Sequence, residues 1–318
     1  MKNLSRGITG RIGKFGTLLV LLLIIVILSI AEPNFLSLKN FTNIMRQVSV
    51  TGIISFGMTM VIITGGIDLS PGSTLAFAGM VIAIFASAGN NIAAALSGIG
   101  IALLCGVING GVIAVTGIPP FIMTLGMQLM ARGAANIVTG GFPITNLNDT
   151  FRQIGGGSVG IIPIPIIIYA VLAVLSHLIL AKTAFGKSVY AIGGNKEAAH
   201  LCGINVKLIT FLVYAYMGIM TGIAAIILTS RVNAGNASVG VNYEFDAIIA
   251  TVIGGTSLAG GIGTIFGCII GALVVGCIDS GLTMLGVSAF YQQIFKGALI
   301  IVSVILDTYR SKAVKIRK

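Results

Sequence analysis

The chain has 318 residues, of which 56% are hydrophobic and 8% charged, and its mean hydropathy is +1.06. A soluble domain carries about 25% charged residues, so this composition excludes a water-soluble globular protein. The 19 Lys and Arg against 8 Asp and Glu leave a net charge of +11, which raises the question of nucleic acid or a membrane surface as its cause.

Long, non-alternating apolar runs exclude a β-barrel and leave helices as the structure that satisfies its own backbone in lipid. A helix needs roughly 20 apolar residues to cross the hydrocarbon core. Polar breaks divide the chain into ten predicted spans, at 16–32, 41–64, 71–88, 92–116, 120–138, 161–181, 207–229, 245–259, 264–285 and 291–307. The expected fold is all-α, a polytopic transmembrane bundle forming a single domain over 1–318, with both termini cytoplasmic.

Lys2, Arg6, Arg11 and Lys14 precede the first span, and Ser29-Ile30-Ala31 after it offers a passable signal-peptide cleavage site. Cleavage would leave an odd number of spans, so the run reads as an uncleaved first helix. Between the second and third spans lies GGIDLSPGS (65–73). Gly65 and Gly66 break one helix, and Ser70 followed by Pro71 is an N-cap followed by Pro at N1. Asp68 within this stretch has two open readings: a carboxylate lining a transport pathway, or a residue that caps the third span.

Arg46 and Arg132 fall near outer span ends and are expected to snorkel. Met58, Met60, Met123, Met127 and Met130 read as core packing. In the 139–160 loop, expected outside, Gly156-x-Ser158-x-Gly160 mimics a serine-hydrolase elbow. His177 lies about 24 Å along the next helix, so no nucleophile–base pair forms. Ala181 to Ser188 loosely mimics a phosphate-binding loop, but it leaves a transmembrane helix and no apolar strand ending in an acidic metal ligand follows. ATP binding by this chain is rejected.

Residues 193–206, GGNKEAAHLCGINV, turn polar. Asn195 is a good N-cap, Glu197 sits in the first turn where the helix dipole favours an anion, and Gly203 is placed as a stop. A helix of about two turns is not stable alone in water. Its bland reading is a capped turn in a loop; its functional reading is a docking element.

Farther on, Tyr243, Asp246, Thr256 and Ser257 offer an aromatic face and hydroxyl-matching groups suited to a sugar, although Asp246 also suits a helix N-terminus. Gly263, Gly267 and Gly271 form a small-residue ridge for close helix packing. Asp279 and Lys296 are placed to pair across the bundle. Cys105, Cys202, Cys268 and Cys277 show no metal-ligand spacing, and neither a metal nor another cofactor is expected.

The basic residues support this order. Thirteen of the 19 lie before span 1, around the loop after span 6 (Lys182, Lys187, Lys196, Lys207) or after span 10 (Arg310, Lys312, Lys315, Arg317, Lys318). Six spans before that loop and four after it put all three clusters on one side, which the positive-inside rule makes cytoplasmic. The charge is thereby explained by topology, and nucleic acid is excluded as a partner because no extended basic patch exists.

Glu197-Ala198-Ala199 with Gly203-Ile204 resembles the EAA-type coupling loop of bacterial ABC importer permeases. EPNFLSLKNFTNI (32–44), GGIDLSPGS, YEFDAIIATVIGGTSLAGG (243–261) and VSAFYQQIFKGALIIVSVILD (287–307) resemble the monosaccharide branch, ribose-type permeases above all. The resemblance implies a non-enzymatic, multi-pass protein of the bacterial inner membrane. It implies three protein partners: an ABC ATPase subunit on the cytoplasmic face, an extracytoplasmic sugar-binding protein and a second permease copy. Asn195, Glu197, Ala198, Ala199, Gly203 and Ile204 would engage the ATPase around a loop near 183–206. Asp68, Ser70, Tyr243, Asp246, Thr256 and Ser257 are the pathway candidates. Two alternatives stay open: an importer of another small solute (autoinducer sugar, nucleoside, branched-chain amino acid), and an ion-coupled secondary transporter. The latter would leave the coupling loop without a purpose.

Overall fold

The computed structural model describes the backbone of residues 2–316 and side-chain surroundings for residues 16–305 and 307–309. Arg317 and Lys318 lie outside the described residues, as do the side chains of Lys2, Arg6, Arg11, Lys14, Arg310, Lys312 and Lys315. The described chain is helical almost throughout. The order is α1 (Lys2–Ala31), α2 (Leu38–Ile63), α3 (Pro71–Ser87), α4 (Asn91–Thr116), α5 (Pro120–Ile137), α6 (Asp149–Gly156), α7 (Ile164–Lys182), α8 (Ala184–Gly194), α9 (Lys196–Leu201), α10 (Val206–Val232), α11 (Tyr243–Ile253), α12 (Ile265–Met284) and α13 (Ala289–Ile316). Two-residue strands form two small antiparallel pairs. Ile144–Thr145 pairs with Ala234–Gly235, and Ser158–Val159 with Ile162–Pro163.

Six helices among the described residues are long and apolar enough to cross a membrane: α2, α4, α7, α10, α12 and the Ala289–Tyr309 part of α13. Residues 16–31 of α1 and all of α3 are shorter apolar helices. Every predicted span falls on a helix, but the eighth needs correction. Expected at 245–259, it is α11, which stops at Ile253. Gly254 and Gly255 follow, Gly255 at φ +91°, and the eleven residues of α11 rise only about 16 Å.

α2 is the spine. From Val48 to Ile63 every residue is buried, because α7, α10, α11 and α12 surround it. Its hydroxyls return to its own carbonyls: Ser49 to Met45, Ser55 to Thr51 and Thr59 to Ser55, each at 2.7 Å. That lets polar side chains sit in an apolar core without orphaned donors. Phe56 stacks on Tyr169 of α7 with ring centroids 5.1 Å apart. Glycines set the close helix approaches. The backbones of Gly254 and Gly267 lie against one another, and Gly271 lies on the Ala250 carbonyl, so the α12 ridge packs within this subunit against α11. Gly263 stands outside that ridge, in the loop before α12, and faces Thr256.

Outer faces are apolar: Ile137 is 82% exposed and Phe290 78%. Such a surface is at home in lipid or against another apolar face, not in water. Met58, Met60 and Met127 are core residues as expected, whereas Met130 lies on the exposed face. Arg132 does not snorkel. It donates to the carbonyls of Ala237 and Val239, at 2.9 Å in the second case, and pins the segment before α11. Arg46 reaches the Gly156 carbonyl at 3.2 Å and Ser158 at 3.3 Å, so the serine of the elbow-like motif serves a loop contact.

Candidate functional site: a proud short helix and a buried polar cluster

The first feature is local. Thr183 ends α7 and caps α8 by accepting the Gly186 N–H at 3.1 Å. The phosphate-loop mimic is therefore a helix–cap–helix junction. Asn195 closes α8 with its own N–H on the Ala191 carbonyl at 3.1 Å. The same residue, extended at φ −163°, opens α9 by accepting the Ala198 N–H at 2.9 Å. Gly203, at φ +85°, donates to His200 O at 3.0 Å, and the Ile204 N–H reaches Ala199 O at 3.1 Å. This is a Schellman stop, and its left-handed residue costs glycine nothing. Asn205 then caps α10 through Leu208 at 3.0 Å.

Two firm caps thus hold a six-residue helix that buries only Ala199. Lys196, Glu197, Ala198 and His200 are exposed, and Leu201 is 86% exposed at its end. An open groove of about 740 Å³ separates α9 from the end of α4 and includes Thr116, Glu197, His200, Ile204 and Lys207 in its walls. The two caps leave an apolar tip, Leu201, exposed at the end of a short helix of fixed geometry.

The second feature is a set of buried polar groups where two helices begin inside the bundle. Asp68 is 2% exposed and accepts both the Ser70 N–H at 2.8 Å and the Ser70 hydroxyl at 2.6 Å. Ser70 makes no side-chain cap to α3, contrary to expectation; its oxygen also accepts from Asn109 at 3.0 Å. Thr124 of α5 accepts the Leu69 N–H at 3.1 Å. The N-terminus of α3 abuts that of α11, with Gly72 against the Gly240 carbonyl and Glu244 Oε2. Glu244 is buried and takes a hydrogen bond from Gln128 at 3.1 Å.

The third is ionic. Lys296 of α13 bridges Asp246 of α11 at 2.7 Å and Asp279 of α12 at 3.0 Å, and Gln47 of α2 donates to Asp279 at 3.3 Å. The expected Asp279–Lys296 pair is present, enlarged to a triad by Asp246. Tyr243 lies beside it. Thr256 and Ser257 do not join this cluster. They follow the opposite end of α11, where Asp307 of α13 accepts from Ser257 at 3.1 Å and from the Leu258 N–H at 2.9 Å.

Sequence reasoning passed over Asn109, Thr124, Gln128 and Glu244. A signal existed: each is a polar residue inside or beside an apolar run, where lipid makes such groups costly. Cys105, Cys268 and Cys277 are buried free thiols and Cys202 is exposed.

A family profile described as "Branched-chain amino acid transport system / permease component" matches residues 40–304. The chain belongs to that family of transport permeases, and it is a multi-pass protein of the bacterial inner membrane. It is 42% identical over 305 residues, 95% of each chain, to the ribose import permease protein of Bacillus subtilis (strain 168). It is 40% identical over 296 residues, 92% of each chain, to the ribose import permease protein of Escherichia coli (strain K12). To the D-allose transport system permease protein of the same organism it is 37% identical over 302 residues, covering 94% of this chain and 93% of the other. No solved structure matches it.

Proposed function

We propose that the chain is the membrane-spanning subunit of an ATP-driven importer of a monosaccharide, ribose or a related pentose or hexose. It forms one permease domain and performs no bond chemistry. Two copies enclose the passage, a separate ATPase docks on the α8–α9 face, and an extracytoplasmic binding protein delivers the sugar. The relatives that carry the sugar reading transport ribose and D-allose by name.

The observation that carries the coupling assignment is α9 itself, capped at both ends yet exposing Leu201 and Glu197. Asn195 and Gly203 shape it, Ala199 and Ile204 anchor it, and Glu197 and Ala198 face the ATPase. Ten crossings, six before α8 and four after α9, put α8, α9 and both termini in the cytoplasm. In this arrangement the shorter α3 and α11 are broken spans whose N-termini meet inside the bundle, as discontinuous helices do in transporters. Asp68, Ser70, Tyr243 and Asp246 lie on or beside that junction and border the passage. Thr256 and Ser257 belong to its cytoplasmic rim.

The test is reconstitution of the chain in vesicles with an ATPase subunit and a loaded sugar-binding protein. Uptake that requires ATP and both partners supports the reading. Uptake driven by an ion gradient without ATPase overturns it, and uptake of branched-chain amino acids but not sugars would reassign the substrate.

A further inference from the structure

The ionic triad forms one wall of a cavity of about 230 Å³ between α2, α11, α12 and α13, with Gln47, Asn242 and Gln292 among its other walls. Drug-sized ligands occupy sites of roughly 300–1,000 Å³, so this cavity suits a smaller body. Its lining of carboxylates, amides and a tyrosine suits an occupant with several hydrogen-bonding groups.

We propose that this cavity is a binding site for a single monosaccharide ring within the permease, distinct from the delivering binding protein. The inference rests on the sugar-importer reading above.

Four observations fit a neutral polyol. Asp246 and Asp279 are nearly buried and share one ammonium, so the wall is rich in acceptors for hydroxyl donors. Asp279 Oδ1 is buried and accepts no hydrogen bond. Asn242 sits at the N-cap of α11 with φ +70°, yet its side chain caps nothing. An asparagine held left-handed with its amide unused by the helix has that amide free for a ligand. Tyr243 adds an aromatic ring to the same wall, the surface against which a sugar's C–H face packs. The Asn242 and Gln293 amides supply donors for ring and hydroxyl oxygens. Metal or anion binding fits less well, because the triad already holds a cation and carries one excess negative charge.

The cavity lies at the α12–α13 turn, the extracytoplasmic side in the ten-span arrangement. A sugar released from the binding protein would meet it before the Asp68 region.

The test uses the reconstituted complex with ribose, D-allose and xylose as probes. Asn242→Gly keeps the left-handed backbone and removes the amide, and Gln293→Ala trims a second lining group. The double variant should lower sugar carried per ATP by about tenfold, the loss of one or two hydrogen bonds to ligand, and should change the ratio among the three sugars. Assembly with the ATPase serves as the folding control. Should that variant fail to assemble, Gln293→Cys gives a second measurement. Millimolar sugar should slow maleimide labelling at that thiol by about threefold or more, as occupancy at mass-action saturation demands. Wild-type transport with unchanged rate and sugar ratio in the double variant, or no protection by any of the three sugars, overturns the site. A wild-type complex that carries none of them overturns the sugar-importer reading as well.

Discussion

Tyr190 of α8 donates its hydroxyl to the carbonyl of Gly263 at 2.7 Å, joining α8 to the loop between α11 and α12. The junction is broader than that bond. Gly193 lies with its backbone against the Ile63 carbonyl and the Gly261 amide. Gly261 in turn donates to Ile63 O at 2.9 Å, and Asp307 holds Leu258. One knot therefore gathers α8, the end of α2, α13 and the loop that leads out of α11. α11 leads from this knot to Glu244 and Asp246, at its other end, in the buried polar groups.

Tyr190→Phe removes one half-buried hydrogen bond, worth about 0.5–1.5 kcal/mol, and keeps the ring. The variant should assemble with its ATPase normally and hydrolyse ATP, while sugar carried per ATP falls roughly twofold to tenfold. Parallel measurement of uptake and hydrolysis in vesicles checks this. An unchanged ratio would mean that the bond only packs α8.

The Lys296 triad gives a stability prediction. Lys296→Met leaves two carboxylates, 4% and 9% exposed, with no counter-charge. Breaking a buried pair in this way costs about 3–5 kcal/mol, so the variant should lose much of its thermal stability in detergent. Adding Asp246→Asn and Asp279→Asn removes the uncompensated charge and should restore most of it. If the single and triple variants melt alike, the triad contributes through packing alone.

Asp68 can be separated into its two roles. Asp68→Ala strands the buried Ser70 N–H, a cost of about 1–3 kcal/mol, whereas Asp68→Asn keeps an acceptor for it. Both should slow transport if the carboxylate borders the passage. Normal uptake by Asp68→Asn at equal expression would leave Asp68 as the cap of α3.

Topology can be read with one native thiol. Cys202 is exposed next to α9, and Asn146 is exposed in the loop between α5 and α6. In intact cells an impermeant maleimide should label Asn146→Cys and reach Cys202 only after permeabilisation. The reverse order would invert the bundle and remove α9 from the cytoplasm.

Much of this architecture is legible in the chain because lipid imposes simple rules. Apolar runs locate the helices, and Asn195 and Gly203 mark α9 because cap chemistry is local. The eighth span ends at Ile253 and not at 259 because the break at Gly254 and Gly255 depends on backbone conformation, with Gly255 at φ +91°. α6 escapes the sequence pattern because its eight residues are too few to show periodicity, although Asn148 and Asp149 carry a helix-start signal. The triad was half visible. Asp279 and Lys296 stood out as charges inside spans, but nothing in the chain tells that α11 brings Asp246 to the same ammonium. Long-range meetings of that kind are decided by packing around α2, which residue order does not reveal.

Gly203 offers the sharpest test of α9. A Cβ at this position would meet nothing within 4 Å, so substitution is opposed by backbone conformation and not by crowding. At φ +85° a β-branched residue is strained, at about 1–2 kcal/mol for the left-handed region. The chain relieves that strain by leaving the region, which breaks the Ile204-to-Ala199 and Gly203-to-His200 bonds and reorients α9. Asparagine tolerates the left-handed conformation far better. Gly203→Val should therefore insert and fold yet bind the ATPase about tenfold more weakly, the equivalent of 1.4 kcal/mol, and lose sugar-stimulated hydrolysis. Gly203→Asn should stay near wild type on both counts. Pull-down with the purified ATPase and hydrolysis in the presence of loaded binding protein measure the two effects. Wild-type behaviour of Gly203→Val would show that the α9 stop is dispensable, and the coupling assignment of residues 195–204 would fall with it.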